Sequence, residues 1–302
     1  MAPPGHRGHR GAASSGRVLH TARGQAAERL ASCPLVRSLS KGTRELEKAA
    51  TGIVPAVEEV LVAAEKVNKP KAPEVIPGPG FRIKVSFERI DAQLMAQFAA
   101  FDTPDVSDLL NRMSSAVPAI RCLTSPEHKL VGPACTVKVH PADNLMVHKS
   151  LDIAHPGDVI VIDAGGTGVN ATLGNLVCAK AQHLGIAGFV IDGYVRDLPK
   201  ILPLDFPVFA RGATTTGPGH SGPGEINYPI SCGGVVVNPG DVVVADAAGV
   251  VFVPREYAEE MLERLAEFAK KNRDYFAAIQ RGNFSNQWVS DTIDASGCPI
   301  TP

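Results

Sequence analysis

Arg196 and Asp197 stand side by side at the end of an apolar run, "GIAGFVIDGYVRDLPKI", residues 185–201. A guanidinium offers a planar fork that suits bidentate capture of a carboxylate or phosphate, and an Asp is a hard oxygen ligand for Mg²⁺ or Mn²⁺. A loop that follows a strand end lets such groups reach a ligand while a rigid scaffold holds them. The pair therefore has two readings: capture of an anionic substrate together with the metal that polarises it, or a surface ion pair or helix cap with no chemistry.

Twenty-one positions upstream lies Asn175, within "TLGNLVCAKAQHLG". Gly174 and Asn175 are placed to start a helix that Gly185 ends. An uncapped helix start presents backbone N–H groups to an anion, so Gly174 and Leu176 are candidates to hold a carboxylate oxygen by main-chain donors. Asn175 as an ordinary N-cap fits the same residues.

Other polar groups stay open at this point. Asp143, Asn144 and His148 are spaced at one to two helical turns, and His148 is either a proton relay near a cleft or a surface or cap residue. Asp192 either faces the cleft or fixes a turn. The loop "GPGHSGPGEINYP", residues 217–229, is a lid carrying one acid, Glu225, or a plain connection. "DAGGTGVNATLG" places glycines after a strand but lacks the third glycine of G-x-G-x-x-G, which excludes a dinucleotide site.

The elements that must position these groups mix helix and strand. "FERIDAQLMAQFAAF" has Ile90, Leu94 and Phe98 on one helical face, and "DTPDVSDLLNRM" offers Asp102 or Thr103 as a cap with Pro104 in the first turn. "KLVGPACTVKVH" alternates as a strand does, "ADNLMVHKSLDIA" reads as a helix, and "DVIVIDAGG" is a β-branched run closed by glycines. A helix near 174–184, the strand before Arg196 and the extended piece "PVFARG" follow. "HPGDVIVIDAGG" at 155–166 and "NPGDVVVADAAGVVFV" at 238–253 share a Pro-Gly-Asp turn feeding an apolar strand. After Pro254, Tyr257, Met261, Leu265 and Phe268 recur at helical spacing, predicting a long amphipathic helix that closes the domain, with Gly282 as its stop.

The first 44 residues hold eight Arg or Lys, three His and one acid, Glu28, among Gly, Ser, Ala and Pro. This composition predicts a disordered basic arm; a transit peptide or a start assigned too far upstream fits it equally. Residues 45–69 suit one short amphipathic helix interrupted by Pro55, and "KPKAPEVIPGPG" reads as a Pro-rich linker. The expected division is an N-terminal extension over 1–80 and a folded domain over 81–302, starting close to Phe81.

Across 302 residues, 30 Lys and Arg against 31 Asp and Glu give a formal net charge of −1, which supplies no general reason to bind nucleic acid or an anionic membrane. Without an apolar run of about 18 residues, nothing should span a bilayer. The six cysteines contain no C-x-x-C pair, so buried reduced thiols in a cytoplasmic protein are expected rather than a zinc cage or a disulfide framework.

Three blocks, "PADNLMVHKSLDIAHPGDVIVIDAGG", "LGNLVCAKAQHLGIAGFVIDGYVRDLPKI" and "EINYPISCGGVVVNPGDVVVADAAGVVFVP", in that order over about residues 86–283, resemble the RraA-like family. That family includes metal-dependent 4-hydroxy-4-methyl-2-oxoglutarate / 4-carboxy-4-hydroxy-2-oxoadipate aldolases and regulators of RNase E activity. The resemblance implies an α/β fold with a β/β/α swivelling-type domain. It also implies a homotrimer or a homohexamer built as a dimer of trimers, with the site in a cleft between subunits. By the same resemblance Arg196 holds the pyruvyl carboxylate and steadies the enolate oxygen, and Asp197 binds Mg²⁺ or Mn²⁺ largely through retained waters. Main-chain N–H groups around Gly174, Asn175 and Leu176 complete the clamp on a small 2-oxo acid.

The aldolase signature is an acid, twenty intervening positions, then Arg-Asp. Here Asn175 replaces the acid, which implies weaker metal binding or a shifted preference among 2-oxo acids. The acid that a neighbouring subunit's last helix supplies in the aldolases has only a loose counterpart in Asp274. The implied function is a metal-dependent lyase releasing pyruvate, with oxaloacetate decarboxylation as a companion activity. The alternative is a non-enzymatic regulator that binds and inhibits a protein partner.

Overall fold

The computed structural model describes residues 75–301. The basic arm, the short helix and the first half of the Pro-rich linker expected from the sequence lie outside the described residues. In chain order the elements are β1 (Phe81–Ile83), α1 (Ala92–Gln97), α2 (Thr103–Leu109), β2 (Arg121–Cys122), β3 (Leu130–Val139), α3 (Leu145–Ser150), β4 (Val159–Asp163) and β5 (Ala171–Leu173). They continue with α4 (Asn175–His183), β6 (Gly188–Val195), α5 (Leu198–Ile201), β7 (Val208–Ala213), β8 (Gly224–Ile226), β9 (Ile230–Cys232) and β10 (Val235–Val237). The last elements are β11 (Val242–Asp246), β12 (Gly249–Val253), α6 (Ala258–Gln280) and α7 (Gln287–Ala295).

The central sheet runs β1-β8-β3-β4-β6-β7-β2, and its middle pairs, β3 with β4, β4 with β6 and β6 with β7, are parallel. Parallel strands covered on both faces read as near-continuous apolar runs, which is why "VIVID" and "GFVIDGYV" look featureless until their neighbours are known. Side chains alternate between two cores. Ile160, Ile162, Phe189 and Ile191 point to α3 and α4, against Met146, Val147, Val177 and Cys178. Val159, Val161, Val190 and Phe209 point the other way, against β9, β10, β11 and β12 through Ile230, Val237, Val243 and Phe252. Strand layer, strand layer and helix layer make the β/β/α arrangement.

β3 joins the strand layers: its first half pairs antiparallel with β11 from Leu130 to Pro133, and its second half pairs with β4 and β8. A third apolar cluster packs α1, α2 and the first half of α6 on the β11–β12 hairpin through Met95, Phe98, Val106, Met261 and Leu265.

The two Pro-Gly-Asp turns are the same device. In each, Gly takes a left-handed φ, 88° at Gly157 and 91° at Gly240, as the third residue of such a turn requires. In each, the Asp carboxylate accepts the N–H three residues back, His155 to Asp158 at 2.8 Å and Asn238 to Asp241 at 2.7 Å. Only the second turn feeds a hairpin strand, because β4 pairs in parallel with β3 and β6 whereas β11 turns back on β12.

Some boundaries differ from the sequence expectation. The first helix starts at Ala92, since the Asp91 carboxylate caps it by accepting the N–H groups of Gln93 and Leu94 at 2.8 and 3.2 Å. Arg89 is drawn off instead to Asp158, with contacts of 2.8 and 2.6 Å. The long helix stops before Gly282, as expected, but its buried residues end at Leu265, so only its first half closes the domain. Helix α7, which buries nothing, has no counterpart in the sequence reading.

Candidate functional site

The site is built where two chain segments leave the sheet together. β5 lies beside the end of β6, pairing Ala171 with Tyr194 and Leu173 with Val195, and the Arg196 N–H continues the ladder to the Leu173 carbonyl at 2.9 Å. One segment then turns through Gly174 into α4, and the other through Arg196 and Asp197 into α5. This is how positions 21 apart in sequence meet.

Gly174, and not Asn175, occupies the N-cap of α4, and no side chain caps that helix. Asn175 is the first helical residue, so the N-cap reading of its amide does not hold. The start of this helix lines a cleft of about 240 Å³. Its walls include Gly174, Asn175, Leu176, Arg196 and Asp197, together with Asn144, His148, Pro218 and His220. All five site residues expected from the sequence thus share one cavity.

Asp197 adopts a left-handed backbone at φ 58°, which Asp tolerates better than most residues. It stands at the N-cap position of α5, yet its carboxylate caps nothing. Among the described residues its one close charge is Arg196, with Nε 3.5 Å from Oδ2, and both side chains are more than a third exposed. That is a loose, solvated ion pair worth little to stability. Both groups therefore have unfilled hydrogen-bonding capacity on the cleft side.

Asn144 and His148 come from the turn into α3 and from α3 itself. Asn144 is buried; its Nδ2 donates to the Thr172 carbonyl at 3.0 Å, and its Oδ1 lies 2.7 Å from His220 Nδ1. The His148 and His220 rings meet edge to face, centroids 5.8 Å apart. Burial, the Lys180 charge and the neighbouring His220 lower the His148 pKa.

The remaining candidates have structural work. Asp192 is buried away from this cleft, paired with Arg211 and accepting the Gly233 N–H at 2.8 Å, so it ties β6 to the β9–β10 hairpin. Asp143 accepts the N–H groups of Leu145, Ser221 and Gly222 at 2.9, 2.6 and 3.0 Å and so fastens the 217–223 loop. Glu225 lies on β8, held by Arg82 at 2.6 Å and the Gly80 N–H at 2.8 Å, and takes no part in a lid. Asp274 is exposed in the second half of α6.

The sequence does not single out Pro218 and His220 as site residues, although their loop, 217–229, reads there as either a lid over the cleft or a plain connection. Their loop reaches the cleft through bonds from Asn144 N–H to the Gly219 carbonyl, 3.1 Å, and from Gly219 N–H to the Ala142 carbonyl, 2.7 Å. Nothing local in "GPGHSGPG" marks that docking. The one available signal was a lone imidazole among glycines and prolines.

As to metals, the cleft's carboxylate donor is Asp197, a hard oxygen ligand. Among the described residues no three His, Cys, Asp or Glu side chains gather into a metal-binding group. One carboxylate fits an ion that keeps most of its waters, as Mg²⁺ does, and does not fit an all-protein cage.

The profile of the RraA-like family, described as Aldolase/RraA, matches residues 103–252. A Halalkalibacterium halodurans protein provisionally named 4-hydroxy-4-methyl-2-oxoglutarate aldolase is 43% identical over 205 residues, 68% of this chain and 92% of that protein. The chain belongs to the RraA-like family. An Ectopseudomonas mendocina protein with the same provisional name is 31% identical over 153 residues, 51% of this chain and 94% of its own. Among solved structures, Streptomyces coelicolor RraAS2, described as an unusual member of the RNase ES inhibitor RraA protein family, superposes with a TM-score of 0.57 at 29% identity. That match covers 64% of this chain and 98% of the Streptomyces chain. The RraA-like fold thus accounts for the β/β/α layers, and the Arg196–Asp197 cleft falls inside the matched region. No helix among the described residues is long and apolar enough to cross a membrane.

Proposed function

We propose that this RraA-like protein is a divalent-metal-dependent lyase that cleaves 4-hydroxy-4-methyl-2-oxoglutarate-type 2-oxo diacids to pyruvate, with oxaloacetate decarboxylation at the same site. The observation that carries this reading is the convergence of a guanidinium and a carboxylate, paired only loosely with each other, and an uncapped helix start on one small cleft. The first-turn N–H groups at Asn175 and Leu176 and the Arg196 fork grip the substrate carboxylate next to the 2-oxo group. Arg196 then faces the oxygen on which negative charge develops, where a fixed cation lowers the barrier most. Asp197 would hold Mg²⁺ or Mn²⁺, which when bound supplies Lewis-acid polarisation of the 2-oxo group. The family resemblance adds assembly as a homotrimer or homohexamer.

The test couples pyruvate formation to lactate dehydrogenase, with 4-hydroxy-4-methyl-2-oxoglutarate or oxaloacetate and added Mg²⁺, Mn²⁺ or EDTA. Turnover that EDTA abolishes and metal restores is the expected result. A folded protein that releases no pyruvate from either substrate refutes the reading.

A second reading rests on Asn175, which leaves Asp197 as the cleft's lone carboxylate among the described residues, and on the likeness to an RNase ES inhibitor relative. In that reading the fold is a non-enzymatic regulator that binds a ribonuclease through its outer surface. It predicts no turnover and a measurable inhibition of an RNase E-type enzyme.

A further inference from the structure

The cleft contains an imidazole, His220, whose neutral tautomer is set by the chain itself. Asn144 is 3% exposed, and its amide nitrogen donates to the Thr172 carbonyl, a group that can only accept. That bond fixes the orientation of the amide and turns Oδ1 toward His220 Nδ1 at 2.7 Å. An amide oxygen only accepts, so Nδ1 must carry the hydrogen, and the neutral imidazole is left with its lone pair on Nε2. His220 is further held from both sides along the chain: Gly219 is bonded to Ala142 and Asn144, and Ser221 and Gly222 donate to Asp143. A single tautomer on a clamped loop is what a proton-transfer group needs.

The other groups at the cleft suit the role less well. Arg196 stays charged throughout. Asp197 is the metal ligand in the proposed function, and the nearby Asp143, outside the cleft lining, has its carboxylate occupied by backbone N–H groups. His148 has no hydrogen bond among the described residues to fix its tautomer, and burial together with Lys180 disfavours the protonated state it would have to pass through.

We propose that His220, resting on the lyase reading above, is the acid–base residue of the cleft. Its Nε2 removes the proton of the substrate's 4-hydroxyl. The O–H pair becomes the new C4=O bond, the C3–C4 pair becomes the C2=C3 bond of the enolate, and the electrons of the 2-oxo bond settle on oxygen beside Arg196. The same proton then passes from Nε2 to C3 and completes the methyl group of pyruvate. The substrate yields two pyruvates with no net gain or loss of protons or electrons.

The enolate half of this cycle can be read with pyruvate alone. The full-length protein with Mg²⁺ in D₂O is expected to exchange the methyl protons of pyruvate, followed by proton NMR. His220→Asn keeps a donor for Asn144 Oδ1 but removes the base, and is expected to slow exchange by about 10²–10⁴-fold with KM for pyruvate little changed. His220→Ala is expected to recover part of the rate when imidazole is added, which a merely structural loss would not do. Exchange by His220→Asn within about threefold of wild type, with wild type active, overturns the role of His220 and leaves the lyase reading intact. A wild-type protein that neither exchanges nor cleaves overturns both.

Discussion

Gly174→Ala separates the wiring of the site from the stability of the fold. Gly174 has φ −144° and ψ −168°, extended backbone that alanine adopts without strain, so the substitution acts only through its new methyl group. That methyl would lie 2.8 Å from Asp197 Oδ2 and 3.1 Å from Arg196 Cγ, the first contact roughly half an ångström short of ordinary van der Waals separation. Both side chains are partly exposed and free to swing away. The fold therefore gives way at the two residues proposed to do the chemistry and hardly elsewhere. A misplacement approaching 1 Å costs up to about 10²-fold in rate, equivalent to about 2.7 kcal/mol of transition-state stabilisation. The expected result is a fall of about 10–10² in kcat/KM for pyruvate release, with thermal unfolding by circular dichroism shifted by no more than about 4 °C. An unchanged kcat/KM would refute the assignment of Arg196 and Asp197 as positioned reactive groups; a collapsed melting temperature would refute the claim that the strain is confined to the cleft.

Other perturbations test separate links. Asn175→Asp adds a second carboxylate to the cleft and is expected to lower the Mg²⁺ concentration for half-maximal activity about tenfold, near 1.4 kcal/mol; an unchanged metal titration would show that Asn175 has no influence on the ion. Asp158→Ala strands the Arg89 charge and frees the His155 N–H, and is expected to destabilise the fold by about 3–5 kcal/mol in urea titrations, against under about 1 kcal/mol if the pair were merely superficial. For Glu225, burial works against ionisation, but the Gly80 N–H and Arg82 outweigh it and lower the pKa. Its stabilisation is therefore present above the ordinary glutamate range and lost as pH falls through the folded value, so the stability gap between wild type and Glu225→Gln should close on acidification; a gap independent of pH would contradict this. Burial raises the Cys135 and Cys178 thiols to about 12, and Cys232 is likewise pushed up. Iodoacetamide at mild alkaline pH should modify exposed Cys298 and spare these three until the protein unfolds, as mapped by peptide mass.

The parts legible in the sequence are those whose signals are local. The run before Arg196 is continuous because β6 is covered on both faces, and Gly174 marks the start of α4 because the chain there needs space rather than a side chain. The Pro-Gly-Asp turns were readable for the same reason, as each closes on itself within four residues. The limits of α1 were not, because whether residues 87–91 extend the helix is decided by Arg89 reaching Asp158, 69 positions away. His220 is the sharpest case: its place in the cleft depends on Asn144, 76 positions earlier. Helix α7 has no buried residue, so nothing in the packing of the core marks it.

What distinguishes Asp197, the proposed metal-binding carboxylate, from its neighbours is which lone pairs the fold has already taken. Asp143 receives three backbone N–H groups, Asp163 receives those of Gly165 at 2.9 Å and Ser231 at 3.4 Å, and Asp192 is shared between Arg211 and Gly233. All three are buried, and each secures a loop or a hairpin. A carboxylate so engaged cannot also serve a ligand without loosening what it holds. Asp197 is the opposite case: it sits at the end of a buried strand, in a left-handed turn that aims it toward the cleft, with only a 3.5 Å contact to Arg196. Spacing alone could not rank these four acids: Asp163, Asp192 and Asp197 stand at or near strand ends, and Asp143 opens a helical segment. The ranking follows from the hydrogen bonds that the other three make and Asp197 does not.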